Sequence, residues 1–337
     1  MSKIQLTYIY KDIISLENLL ATWKEFSKGK RSRRDVQVFE LNLMGNIIAL
    51  YRDLVAKQYV HSPYLAFNIS DPKPRNIYKA AVRDRLLHHA LYRVLYPFFD
   101  RKFIADSYSC RTAKGTHRAI DRFRKYAYKV SKNHRRTVWV LKCDIRKFFA
   151  SINHEILIGV LIASIPDKSV TWLLTRIINS FYSTKEGVGL QLGNLTSQLL
   201  VNVYMNEFDQ FMKHSLRAKY YVRYADDFVI LSENKAELER ILDQITVFLR
   251  QKLRLELHPS KVSIITFASG VDFLGWVHFA DHRTIRRATN RRMMKCAGGN
   301  PSNESVQSYL GLLSHGNAYK IMGELLRNKT IFLKCTG

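Results

Sequence analysis

A membrane-spanning helix is not expected of this 337-residue chain, because no apolar run approaches the ~18 residues such a span needs. The N-terminus, Met1-Ser2-Lys3-Ile4-Gln5, also lacks the apolar core of a signal peptide. Cysteine is scarce. Cys110, Cys143, Cys296 and Cys335 stand alone with no C-x-x-C spacing, which argues against a disulfide framework and a structural zinc site. A soluble, cytoplasmic protein is the expectation. Acidic residues are few: 28 Asp and Glu face 54 Lys and Arg, leaving a net charge of +26. The rest of the composition, 47% apolar and 12% aromatic, is that of a folded chain. So large a basic excess calls for a polyanionic partner, nucleic acid ahead of an anionic membrane surface. Repeats and low-complexity linkers are also missing, so the subdomains are expected to pack as one body.

Apolar residues recur at helical spacing at Leu16, Leu19, Leu20, Trp23 and Phe26, and again at Met44, Ile47, Ile48, Tyr51 and Leu54. Asp71-Pro72-Lys73-Pro74-Arg75 then imposes an extended segment. The next helix carries Leu86, Leu87, Ala90, Leu91, Val94 and Leu95 on one face, with Arg83 and Arg85 at its start, where free amides favour phosphate. His88 and His89 read as packed helix residues, having no partners at ligand spacing. A further helix holds Arg118, Arg122, Arg124 and Lys125 with Tyr126 and Tyr128 interleaved. It fits either a solvated face or a track for a phosphate backbone. His282 to Asn303 has no acidic residue but includes Arg286, Arg287, Arg291 and Arg292. Two helices are expected in the tail, around Tyr309–Leu313 and Ile321–Leu326.

Carboxylates occupy two conspicuous places. Thr137-Val138-Trp139-Val140-Leu141 reads as a buried central strand that delivers Asp144 at its end. Helices are expected over about 154–164 and 169–183, then a glycine-containing segment to Gln198 with Asn194 as cap of the following helix. Tyr220 to Leu231 places Asp226 and Asp227 on a tight turn between two β-prone runs. Adjacent acids repel, so the turn is either solvated or a cation site. Asn234 with Glu237 marks the start of another helix. Two more strand-like runs surround Lys261 and Phe273-Leu274-Gly275-Trp276. Two carboxylate sites on different strands of a basic protein suit two divalent ions ~3.5–4 Å apart for phosphoryl transfer.

Tyr224-Ala225-Asp226-Asp227 resembles the Y-x-D-D hallmark of reverse transcriptases, and Asp144 followed five residues on by Phe149 resembles their first palm motif. The Pro-Lys-Pro-Arg segment, Arg83-Asp84-Arg85, the Ser107–Gly115 stretch, Lys261, Phe273-Leu274-Gly275 and Ser308-Tyr309-Leu310-Gly311 through His315-Gly316-Asn317 follow in the order of bacterial-type members. Most of that family carries Q-G-x-x-x-S-P where this chain has Leu192-Gly193-Asn194-Leu195-Thr196-Ser197-Gln198. Leu192 and Gln198, with Arg83–Leu91 and Lys114-Gly115-Thr116-His117, resemble the reverse transcriptases of diversity-generating retroelements.

That resemblance implies an α+β right-hand polymerase: fingers over 1–136, an antiparallel palm over 137–282 and a short basic helical thumb over 283–337. It leaves no room for a maturase or endonuclease extension. It implies RNA-directed DNA synthesis, error-prone opposite template adenines, in a bacterial or phage-infected cell. Asp144, Asp226 and Asp227 would be catalytic and, with Ile145, would hold two Mg²⁺ ions, Mn²⁺ being a substitute. Phe149 would select dNTP by excluding a 2′-hydroxyl, or else is a core aromatic. Arg75 and Arg83 would meet the triphosphate, while Leu192, Gly193 and Gln198 would line the nascent base pair. Lys261 would assist pyrophosphate departure, or is a surface lysine. Arg118, Arg122, Arg124, Lys125, Arg286, Arg287, Arg291 and Arg292 would bind template RNA and nascent cDNA. A small basic helical accessory protein is the implied partner. Two alternatives stand beside this one: a retron-type or group II intron-like reverse transcriptase without mutagenic role, and a non-catalytic RNA-binding protein on a polymerase scaffold.

Overall fold

The computed structural model describes residues 9–69, 75–298 and 302–326. The chain divides into two units, each assembled from three segments of sequence. The first comprises Met1–Arg111, Ile145–Arg217 and Ile245–Leu257; the second comprises Thr112–Asp144, Ala218–Gln244 and His258–Gly337. Among the described residues no helix is long and apolar enough to cross a membrane.

Helices dominate the first unit. Leu16–Ser27 starts where Ser15 accepts a hydrogen bond from the Asn18 amide, and it buries Leu19, Trp23 and Phe26. Leu43–Val55 buries Ile47, Leu50 and Leu54 but leaves Met44 at the surface. Two elements without a clear periodic stripe, Tyr10–Ile14 and Arg34–Leu41, are helical as well. Strand β1 (Leu65–Ile69) pairs antiparallel with β2 (Arg75–Lys79). The prolines expected to extend the chain at Pro72 and Pro74 lie outside the described residues. Val82–Asp100 buries the expected Leu86, Leu87, Ala90, Leu91, Val94 and Leu95.

His154–Ser164 forms as expected, whereas the helix expected over 169–183 is Lys168–Ile178. It stops at Asn179, and the chain then turns so that the Ser183 amide donates to the Val188 carbonyl. Leu195–Gln210 follows, but Asn194 does not cap it through its side chain. The Asn194 amide nitrogen is buried without a hydrogen-bond partner.

The second unit is built on an antiparallel sheet. Its strands are β3 (Trp139–Asp144), β4 (Tyr221–Tyr224), β5 (Asp227–Ser232) and β6 (Ser263–Thr266), in the spatial order β4-β5-β3-β6. Central β3 buries Val140, Leu141 and Cys143 completely, as its unbroken apolar run requires. Helix Thr116–Val130 buries Ala119, Ile120, Phe123, Tyr126 and Ala127. A separate meander, β7 (Val271–Phe273), β8 (Trp276–His278) and β9 (Arg283–Ile285), continues the chain. Trp276 and Ile285 share a core with Met293 and Ala297 of helix Arg287–Ala297 and Val306 and Leu313 of helix Asn303–Leu313. Residues 319–326 are helical, so the expected tail helices are present within the described residues.

Candidate active site

Three aspartates meet at one end of the β3–β5 pair. Asp144 ends β3 and is the register partner of Asp227, the first residue of β5. Side chains of opposed antiparallel residues share a face, about 4.5–5.5 Å apart at Cβ. Asp226 occupies the turn between β4 and β5. Ala225 before it is left-handed, with φ +54°. Two neighbours brace that turn. Arg223 is completely buried and its guanidinium donates to the Ala225 carbonyl at 3.0 Å. The Thr116 hydroxyl donates to the Tyr224 hydroxyl at 3.2 Å.

Burial pushes the Asp227 carboxyl up to about 7; Asp144 and Asp226 add to the rise, while Lys142 and Arg286 oppose it. One Asp227 carboxylate oxygen is buried with no hydrogen-bond partner. The Lys261 ammonium, in contrast, sits 2.9 and 3.0 Å from the two Asp144 oxygens. That pair is part-open, with side-chain exposures of 44% and 17%. Among the described residues no group of three or more His, Cys, Asp or Glu is already arranged as a metal cage. The donor set nevertheless suits a hard divalent ion. It is all oxygen, one acceptor is orphaned, and a lysine already supplies positive charge at Asp144. Ile145, whose carbonyl is the remaining candidate ligand, directly follows Asp144 and bridges to Leu257.

The nucleotide-binding candidates other than Lys261 belong to the first unit. Phe149 lies in the short helix Phe148–Ser151, and its carbonyl accepts from the Leu190 amide at 2.8 Å. Leu192 and Gly193 form the turn leading into helix Leu195–Gln210. Gly193 has φ +114°, and a Cβ placed there would come 3.6 Å from the Ile77 methyl of β2. Phe149, the Leu192–Gly193 turn and β2 are thereby drawn together, with Gln198 in the first turn of the helix. Arg75 opens β2. Arg83 is engaged otherwise: it pairs with Asp53 at 2.5 Å and Asp84 at 3.3 Å and donates to the Val60 carbonyl. Arg85 pairs with Asp35.

Arg118, Arg122, Arg124 and Lys125 share helix Thr116–Val130, where Arg118 and Lys125 are exposed and Arg122 lies over the Tyr126 ring. Arg287, Arg291 and Arg292 lie on helix Arg287–Ala297, the first two exposed. Arg286 is held by the Asp272 carboxylate. The bracing roles of Arg223 and Thr116 escaped sequence reasoning. A lone arginine in an otherwise apolar and aromatic strand was the available signal for the first.

Residues 70–278 match the family model for reverse transcriptase (RNA-dependent DNA polymerase). Protein YkfC of Escherichia coli (strain K12) is 26% identical over 296 residues, covering 76% of this chain and 75% of that protein. The group II intron-encoded protein LtrA of Lactococcus lactis subsp. cremoris is 23% identical over 279 residues. That alignment covers 63% of this chain but only 45% of LtrA. Among solved structures, apo telomerase from Candida tropicalis superposes with a TM-score of 0.55 at 12% identity, over 82% of this chain and 58% of that one. The chain thus spans less than half of LtrA and under two thirds of the telomerase chain. The telomerase likeness carries the fold, which is the expected α+β right-hand polymerase class. With Asp144 and Asp227 paired at the strand ends and the family model covering most of the sequence, the chain belongs to the reverse transcriptase family of RNA-directed DNA polymerases.

Proposed function

We propose that the protein copies a template-repeat RNA into adenine-mutagenised cDNA for diversification of a target gene, in the cytoplasm of a bacterial or phage-infected cell. The observation that carries catalysis is the Asp144–Asp227 register pair with an orphaned carboxylate oxygen beside Asp226. Asp144, Asp226, Asp227 and the Ile145 carbonyl would hold two Mg²⁺ ions, with Mn²⁺ as a substitute. Such ions lower the pKa of the primer hydroxyl and neutralise charge on the leaving pyrophosphate. Lys261 leaves Asp144 and supplies its proton to the pyrophosphate. Phe149 packs beneath the incoming deoxyribose and excludes a 2′-hydroxyl. Arg75 and Arg83 attract the triphosphate, Arg83 by exchanging its carboxylate partners. Leu192, Gly193 and Gln198 contact the nascent base pair. The basic residues of helices Thr116–Val130 and Arg287–Ala297, with Arg286, follow template and cDNA. Residues 1–136, 137–282 and 283–337 serve as fingers, palm and thumb, beside a small basic accessory protein.

Infidelity rests on Leu192. It offers contact without a hydrogen-bond donor, so a mispair forfeits less relative to a correct pair. Similarity to LtrA favours a second reading, an intron-like enzyme of ordinary fidelity. One experiment separates them. cDNA made by the wild type and by Leu192→Gln is sequenced, with Asp226→Asn as the catalytic control. Asp226→Asn should abolish Mg²⁺-dependent extension while RNA binding persists; continued extension would remove the catalytic assignment. Leu192→Gln should lower misincorporation at template adenines severalfold, and wild-type cDNA without an adenine bias would leave the intron-like reading.

A further inference from the structure

At the opposite end of β3 from Asp144, the second unit contains a cavity of about 310 Å³ lined by Arg124, Lys125, Tyr128, His134, Phe267 and Ala280. Its position is set by the Phe267 amide, which donates to the Val138 carbonyl, and by Thr266, the register partner of Trp139. The run from Trp139 to Asp144 is about 17 Å long at the usual strand rise, so this cavity is separate from the carboxylates.

Its walls are of two kinds. Arg124 and Lys125 provide cationic groups on one helix, and Tyr128 follows one turn on. His134 lies with its ring parallel to Phe267, 7° between planes and 6.4 Å between centroids. Tyr128 meets His134 edge-on at 5.4 Å. Tyr128 and His134 are both exposed, so their rings are accessible from solvent. The backbone is bent to produce this arrangement. Lys132, Asn133 and His134 are all left-handed, with φ of 48°, 64° and 61°. L-residues avoid that region, and lysine and histidine lack the ready tolerance of glycine. Three in succession are held by the Tyr128 carbonyl, which accepts from Asn133, and by the Ser131 hydroxyl, which accepts from the His134 amide. Strain retained in this way is concentrated at ligand sites. Burial and the nearby Arg283 disfavour the Arg124 cation, while Asp121 and Asp281 favour it.

We infer that this cavity is a second nucleic-acid site, which takes one unpaired nucleotide with its base on the His134 and Tyr128 rings, His134 being backed by the buried Phe267, and its phosphate on Arg124 and Lys125. Planar aromatic faces beside cations are the means by which proteins hold single-stranded bases. The volume, at the lower end for ligand pockets, admits one nucleotide and no duplex. This inference rests on the assignment of Arg124 and Lys125 to nucleic acid made above, but not on the catalytic aspartates.

The test is photocrosslinking of the full chain, without divalent metal, to 12-nucleotide strands carrying 5-iodouracil, one of RNA and one of DNA. Peptide mapping should find adducts at Tyr128 or His134, and the relative yields of the two strands identify which is preferred. Tyr128→Leu with His134→Leu should lower the yield there about tenfold or more with adducts elsewhere unchanged. Arg124→Gln with Lys125→Gln should reduce the salt dependence of that adduct. Adducts confined to other segments of the wild-type protein would overturn the inference, and because that result needs no variant it stands even where a variant fails to fold.

Discussion

Asp227 shows how one residue couples folding to charge. Its carboxyl titrates near 7 because it is buried, with like charges at Asp144 and Asp226 adding to the effect. Unfolded, an aspartate titrates near 3.9. Between those values the folded state holds a proton that the unfolded state has lost, so stability from this group is greatest at acid pH and is lost as pH rises through about 7. In EDTA the unfolding midpoint should therefore fall between pH 5.5 and 8 by more in the wild type than in Asp227→Asn. Mg²⁺ should recover the difference at pH 8, and near pH 6, where the folded carboxyl still holds its proton, calorimetry in two buffers should see that proton released on Mg²⁺ binding. The identity of this residue was legible from the adjacent-acid turn. Its titration was not, because burial of one member of the pair depends on which strand lies across from it.

At the scale of elements, the hairpin and the meander illustrate opposite degrees of legibility. β4 and β5 follow from β-prone runs flanking two acids, and β3 from an unbroken apolar run. The left-handed Ala225 could not be read, since nothing in its sequence marks it, and of the buried Arg223 that braces it the only signal was a lone arginine in an apolar and aromatic strand. Asn194 went the other way: its sequence position invites a cap, yet tertiary packing buries the amide and leaves it unused. Gly316, in the His-Gly-Asn segment, is explained by packing alone. A Cβ there would lie 1.9 Å from the Trp276 ring, which is 1% exposed and has no room to retreat. Gly316→Ala should cost about 1–3 kcal/mol, as overpacking does, and lower the unfolding midpoint. Gly323→Ala, with nothing near its added Cβ, serves as the control.

For the whole molecule the net charge of +26 governs encounter with nucleic acid, with no bearing on base identity. Arg118, Lys125, Arg287 and Arg291 are exposed, and four phosphate contacts give a slope of about −3 in log affinity against log salt for a single strand. Neutralising each should flatten the slope by about 0.7, whereas Arg286→Gln should change it less, because Asp272 already holds that guanidinium. Fluorescence anisotropy across a salt series measures both. Hydrophobic period placed most of the elements, composition pointed to a polyanion partner, and the short motifs singled out the three aspartates and carried the resemblance that implied the fold class, because each is a property of residues near one another in the chain. Only the tertiary structure decided that Asp144 faces Asp227, that Lys261 rests on Asp144, that Arg83 is engaged by Asp53, and that His134 lies over Phe267. Those pairs are separated by tens of residues or more, and the burial, helix packing and strand register that bring them together arise only when the tertiary structure has formed.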